Sequence, residues 1–447
     1  MTSEISPACQ TVSLLYGRSG AVLRLPAAAT VLQGQHVPPL PEPQEAVRRA
    51  LQAPIGTPSL AELLRHRAPR SLAITVSDIT RPVPNREFLP VLLDTVQAAG
   101  IPLSAVVVVI GTGMHRPSTA EERERIVGPD VLERCEVLDH RADAAETLTT
   151  LSTTPLVRLC RRFAEADFRI VTGYIEPHFM AGFSGGRKGV CPALVDLATV
   201  QRFHGFETLH DPRADNGRLE GNPCHRIALE VARLVGVDFL FNVAVTRDRR
   251  LAGIFCGDLV QAHETGCRQV AEWTRSRVAS PYDLVISNGG GYPLDQTYYQ
   301  TVKGMCGALP ALGPASTLLL LSACTEGLGS RAYAELLSEY GRDWQRFLRD
   351  AAARPNDTRL DQWQLQMQCR VLDRIGPERL LLATDGVAAA DLAHLALTPV
   401  PGSGDASARA QRFVDEFVAA RPGARIAVVP EGPYTLIERQ LGRRSVP

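Results

Sequence analysis

Several side chains of this chain stand where type and spacing suit chemistry. The string DITRP at 78–82 sets the Asp78 carboxylate, the Thr80 hydroxyl and the Arg81 guanidinium, with Ile79 between, at the entrance to a helical pattern. The free N–H groups at a helix entrance favour an anion, although an ordinary capping turn would use Asp78 equally well. The string GTGMHRP at 111–117 flanks His115 with flexible glycines. An imidazole titrating near neutrality suits proton transfer there; a hydrogen-bonded loop histidine is the plainer alternative. Residues 173–189, GYIEPHFMAGFSGGRKG, combine His178 with a glycine-rich turn that ends in Lys188. This segment looks like a phosphate loop but fails the Walker A pattern. Arg187 holds the place of the second required glycine, and Gly189 follows the lysine where Ser or Thr is needed. A lysine in such a loop can instead clamp an anion or serve as a covalent attachment point. His204 follows on the next helix, where a surface or cap role is the simpler alternative.

A second constellation is GGGYPLDQTYYQTVKG at 289–304. Asp295 reads as the cap of a helix from Gln296 to Lys303. Gln296, Gln300 and Lys303 share one face of it, with Tyr299 a turn before Lys303. Lys303 is then either a favourable charge at a helix end before a glycine stop, or part of a cationic face directed at a substrate carboxylate. Neither GTGMHR nor GGGYPL completes G-x-G-x-x-G, so a dinucleotide fingerprint is missing.

These residues need a frame. Continuous runs rich in Val, Ile and Leu at 72–76, 105–110, 168–172, 239–245, 284–287, 318–322, 380–384 and 426–429 read as strands covered on both faces. Between them lie helical patterns at 86–99, at 121–127 behind a Ser118-to-Glu121 capping box, and at 226–234 behind Asn222-Pro223. The alternation predicts an α/β protein of two domains, each with a mostly parallel sheet flanked by helices, and an active site in the interdomain cleft. Residues 1–275 are expected to form an N-terminal cofactor-binding domain, and 276–447 a C-terminal α/β domain. In open parallel sheets, ligands bind beyond the carboxyl ends of the strands, and the candidate residues follow three successive strands of the first domain.

Composition narrows the function without naming it. The chain has 447 residues, a 45% hydrophobic share and a 21% charged share, with 48 Lys+Arg against 48 Asp+Glu. That balance gives no electrostatic footprint for nucleic acid and none for an acidic membrane surface. The stretch between Lys303 and Glu326 is uncharged, but glycines and prolines break it, so a buried strand after a loop is expected rather than a membrane span. The N-terminus lacks a basic, apolar leader pattern. The 10 cysteines include no C-x-x-C pair, which points to reduced thiols and a cytoplasmic location.

Together, DITRP, GTGMHRP, GYIEPHFMAGFSGGRKG with His204 downstream, GNP and DQTYYQTVKG occur in this order over residues 78–304. That combination resembles the nickel-dependent lactate racemase family. The resemblance implies a 2-hydroxyacid racemase or epimerase, an isomerase that inverts the α-carbon by hydride transfer to and from a nickel-pincer nucleotide. This cofactor is a pyridinium-3,5-bisthiocarboxylic acid mononucleotide, tethered through Lys188. It further implies His204 as the protein ligand to nickel, and His115 and His178 as paired acid/base residues. Asp78, Ile79, Thr80 and Arg81 would contact the cofactor, while Tyr299, Gln300 and Lys303 would hold the substrate carboxylate. The expected partners are a small 2-hydroxy acid and the proteins that make the cofactor. The chemistry is coherent. The α-hydrogen of a hydroxy acid is weakly acidic, so removing it as hydride avoids a carbanion, and two bases are needed for two hydroxyl positions. A pyridine-nucleotide 2-hydroxyacid dehydrogenase would need the same histidines, but the fingerprint is missing. A non-enzymatic nickel or nucleotide carrier would have no need of a carboxylate-binding face.

Overall fold

The structure, a computed structural model, describes residues 9–355 and 357–440. They divide into two compact units. The first comprises His36–Glu176 and Ala181–Trp273; the second comprises residues 9–35, Pro177–Met180 and residues 274–440.

The first unit is built on a six-stranded sheet. Its order is Leu251–Gly257, Phe239–Val245, Phe168–Tyr174, Leu72–Ser77, Val106–Gly111, Glu136–Asp139. The first of these pairs is antiparallel and the rest are parallel. Leu72 lies opposite both Val106 and Phe168. Ile74, Val108 and Ile170 are fully buried, as strands covered on both faces require. The helix Asn85–Ala98 buries Phe88, Leu89, Leu92, Leu93 and Val96 in the same core. The strand order reverses between Leu72–Ser77 and Phe168–Tyr174: the chain steps outward to one side first, then to the other. Such a reversal opens a crevice at the carboxyl ends of the two central strands.

The second unit carries a wholly parallel six-stranded sheet. Its order is Thr398–Pro399, Leu380–Ala383, Leu312–Leu321, Tyr282–Asn288, Ile426–Val428, Thr30–Val31. Residues 9–35 therefore group here, whereas the sequence reading put them with the first domain. Their hairpin, Cys9–Leu14 against Ala21–Pro26, alternates apolar residues on one face, and Leu14, Leu23 and Leu25 bury that face beside Leu284, Leu319 and Phe417. All eight expected strands are present. Among the described residues, no helix is long and apolar enough to cross a membrane.

Two local expectations are corrected. The capping box sits one residue later than read: Thr119 Oγ1 accepts from the Glu122 amide at 3.2 Å, and the Thr119 amide donates to Glu122 at 2.8 Å. Ser118 is occupied elsewhere, its amide donating to Asp139 at 3.0 Å. Asp295 does not cap the helix, which runs Tyr298–Ala308 with Thr297 as its N-cap. The Asp295 carboxylate is fully buried and accepts from the amides of Gly17 at 2.7 Å and Ala323 at 3.3 Å. Lys303 therefore lies mid-helix, and Gly304 is not a stop. A β-carbon at Gly304 would lie 2.0 Å from the Asn288 carbonyl oxygen, so this glycine lets the helix approach the strand end.

That contact gives a test with an inverted sign. On helix propensity alone, Gly304→Ala would add about 0.5–1 kcal/mol of stability. The clash should instead destabilise by about 1–3 kcal/mol, read by urea denaturation. A stabilised variant would show that the helix–strand approach is looser than described.

Candidate active site

Asp78 follows directly on the strand Leu72–Ser77, one of the two strands beside the crevice. Its side chain is 9% exposed, while that of His115, from the neighbouring strand's loop, is 52% exposed. The two meet at 2.6 Å between Asp78 Oδ2 and His115 Nδ1. The carboxylate only accepts, so the imidazole donates from Nδ1, which leaves Nε2 turned away from Asp78. Thr80 Oγ1 donates to the second carboxylate oxygen at 2.7 Å. Burial pushes the Asp78 carboxyl up, but the His115 and Thr80 hydrogen bonds and the Arg81 charge outweigh it and hold the group below the usual carboxylate range. Asp78 is thus the orienting partner of His115, a role its sequence position did not reveal. Ile79 packs its side chain against the hydrophobic core.

The glycine-rich segment docks on the same strand ends. Thr172 Oγ1 donates to the Thr75 carbonyl at 2.6 Å, joining the two central strands, and the turn Gly186–Gly189 lies against them. A β-carbon at Gly189 would come within 2.5 Å of Val171 and 3.2 Å of the Thr172 carbonyl oxygen. The Walker A pattern fails here for a spatial reason: there is no room for Ser or Thr after the lysine. Lys188 is partly buried, with Nζ 5.4 Å from the centre of the Phe203 ring. Burial, then the charges of Arg81 and Arg187, push its amine down to about 7. His204 ends the helix Leu197–Phe203, and its Nδ1 donates to the Val200 carbonyl at 3.0 Å. Burial and the Lys188 charge push this imidazole down to about 3. It is a neutral ring with its lone pair on Nε2, as a metal ligand must be. Among the described residues, no group of three or more His, Cys, Asp or Glu is arranged to hold a metal. A metal bound through His204 would draw its other ligands from a cofactor.

Asp78, Thr80, Arg81, His115, Lys188 and His204 thus all belong to the first unit. Tyr299, Gln300 and Lys303 lie together on the helix Tyr298–Ala308 of the second. There Trp363 Nε1 donates to the Tyr299 hydroxyl at 2.7 Å, and the Gln364 amide donates to the Tyr299 carbonyl. The buried Gln300 Oε1 has no hydrogen-bond partner, which leaves an acceptor for a donor on a ligand. His178 is buried in the segment Pro177–Met180, which groups with the second unit. The Met180 amide lies 3.4 Å from its Nδ1.

Sequence reasoning missed Trp363 and Gln364 as braces of Tyr299. It also missed Asn242, Arg187 and His263, which hold the glycine loop from below. One signal was available throughout. Of 48 basic residues only Lys188 and Lys303 are lysines, and the rest are arginines. A chain that uses arginine almost everywhere keeps a primary amine at these two places, and amine and guanidinium are not interchangeable.

The crevice, the carboxylate–imidazole pair and the lowered Lys188 amine are those of an enzyme of α/β architecture. Residues 16–217 match the lactate racemase N-terminal domain and residues 278–437 the lactate racemase C-terminal domain. The chain is 31% identical over 401 residues to the lactate racemase of Thermoanaerobacterium thermosaccharolyticum, covering 89% of this chain and 91% of that protein. It is 35% identical over 333 residues to the lactate racemase of Lactiplantibacillus plantarum, covering 74% and 77%. The apoprotein structure of the Thermoanaerobacterium enzyme superposes with a TM-score of 0.86 at 30% identity, over 96% of this chain and 100% of that one. A Thermotoga maritima protein shares the fold, with a TM-score of 0.66 at 15% identity over 91% of this chain and 100% of that one. The chain belongs to the lactate racemase family. It is accordingly an isomerase of the racemase class.

The charge on Asp78 predicts an acid-dependent stability term. Its folded value lies below the ordinary carboxylate value of about 3.9. The contribution is therefore present above that value and is lost as pH falls through the folded one. The stability advantage of the parent over Asp78→Asn should be larger at about pH 6 than at about pH 3 in urea denaturation. An equal advantage at both would remove the charge-based pairing with His115.

Proposed function

We propose that this chain interconverts the enantiomers of lactate or a closely related 2-hydroxy acid in the cytoplasm. In this reading a nickel-pincer nucleotide, supplied by cofactor-making proteins, is attached through Lys188 with His204 as the protein ligand to nickel. What supports it most is composition joined to place. The chain's two lysines stand in the glycine loop beside His204 and on the carboxylate-binding helix. The residues present fit such a group. An amine lowered to about 7 has its free base available near neutrality and can be acylated, and a neutral imidazole suits nickel.

When bound, the nucleotide supplies a reversible acceptor for the α-hydrogen and its electron pair. The chain's own residues do the rest. Lys303 pairs with the substrate carboxylate, and Tyr299 and Gln300 fix its orientation. His115, its Nδ1–H held by Asp78, offers Nε2 to the hydroxyl proton of one enantiomer. His178 serves the other, and each returns a proton when its counterpart has taken one. Asp78 to Arg81 contact the cofactor, with Arg81 supplying positive charge.

Two experiments test the reading. Lys188→Arg keeps a long basic side chain but loses the acylable amine; intact mass should show no adduct, and chiral analysis of lactate should show no racemisation. Lys303→Ala should keep the adduct and lose turnover by on the order of 100-fold. Unmodified Lys188 in fully active enzyme would sink the tether, and parental turnover in Lys303→Ala would make Lys303 a bystander.

The histidines are tested by single turnover. His115→Ala should block keto-acid formation from one enantiomer and His178→Ala from the other, read by acid quench. In the steady state both directions should slow together, because the equilibrium constant of a racemisation is one. Variants that both form keto acid normally from both enantiomers would dismiss the two-base assignment.

A further inference from the structure

Arg187 is 1% exposed, and among the described residues no carboxylate pairs with it. A cation stripped of water costs several kcal/mol when unpaired, and a side chain of methionine size would fill the volume without that penalty. Its hydrogen bonds show what it does instead. Arg187 Nη2 donates to the Ala181 carbonyl at 2.7 Å and Nη1 to the Gly185 carbonyl at 3.3 Å. Nη1 also lies 3.0 Å from His263 Nε2. His263 Nε2 also lies 3.0 Å from the Ser184 carbonyl, so one ring nitrogen stands between the guanidinium and the loop backbone, accepting from Arg187 in one tautomer and donating to Ser184 in the other. Burial, then the Arg187 charge, holds His263 well below its ordinary value.

The loop needs such a clamp because its regular structure is brief, a two-residue strand at Gly182–Phe183 and one 3-10 turn at Gly186–Gly189. Gly182, Gly185 and Gly186 take φ of +78°, +73° and +54°. These conformations turn successive carbonyls away from a regular pattern. The His263 ring lies directly under Gly186, where a β-carbon would come within 2.5 Å of it. The Gly186 amide donates to Asn242 Oδ1 at 2.6 Å. His263 comes from the helix Gln261–Thr274 and Asn242 from the strand Phe239–Val245, so two rigid elements anchor the turn that carries Lys188.

We propose that Arg187 and His263 form a positioning clamp that fixes the glycine loop, so that Lys188 is held for cofactor attachment. This rests on the reading of Lys188 as the tether. Neither residue takes part in the reaction itself; both act through the loop.

Hydrogen exchange and intact mass on the full-length protein decide it, using Arg187→Met, His263→Leu and His263→Gln. Gln offers both an acceptor for Arg187 and a donor for the Ser184 carbonyl, while Leu offers neither. In Arg187→Met and His263→Leu, amides of residues 181–191 should exchange at least about tenfold faster, with the strand Phe168–Tyr174 unchanged. Adduct occupancy after co-expression with the cofactor-making proteins should fall at least about tenfold in the same two variants. His263→Gln should restore both. Exchange that leaves the loop unchanged, or that rises in loop and strand alike, overturns the clamp, as does parental occupancy in Arg187→Met. If Arg187→Met does not fold, the His263 pair decides alone. If the parent carries no adduct, the tether reading fails, and exchange, which needs no cofactor, still decides the clamp.

Discussion

The chemistry of the first unit depends on how closely the turn Gly186–Gly189 lies against the ends of two parallel strands. Contact at Val171 and Thr172 leaves no space for a β-carbon at Gly189, and the His263 ring leaves none at Gly186. The approach that forbids side chains also brings Lys188 under the influence of Arg81, Arg187 and partial burial, which together lower its amine. Reactivity and packing are one constraint at this point. A looser turn would admit a hydroxyl residue after the lysine, but it would also let the amine reach water and regain its proton.

Much of this was legible because it rests on short-range patterns. Strands buried on both faces announce themselves as continuous apolar runs, and candidate residues could be sought directly behind them. What stayed hidden depends on register and on long separations. Asp78 and His115 are 37 residues apart in sequence and meet only because Leu72–Ser77 and Val106–Gly111 pair in parallel. Asp295 looked like a cap because an acidic residue before a helical pattern usually is one. Its carboxylate is instead claimed by Gly17, 278 residues away. Arg187 stood out in the sequence only as the residue that breaks the Walker A pattern, and only the packed structure reveals that it is buried. The two lysines are visible in the sequence, but their places beside His204 and in mid-helix are not.

The two histidines assigned to proton transfer live in unlike surroundings. His115 has a buried carboxylate behind it and half its side chain in solvent, whereas His178 is buried beside Phe179 with a backbone amide near its Nδ1. A reaction with equal end states does not require equal bases. Thermodynamics fixes only the ratio of kcat/KM in the two directions, so the two half-reactions are free to differ in saturation behaviour.

The edge strand Thr30–Val31 pairs with Ile426–Val428, so the earliest strand of that six-stranded sheet waits on nearly the last one made. At about 5–20 residues per second, roughly 20–80 s separate the two on the ribosome. The whole first unit emerges in between and can fold. Throughout that interval the hairpin's Leu14, Leu23 and Leu25 lack the surface that later buries them. A hairpin formed in that interval would present an apolar face that the finished chain buries.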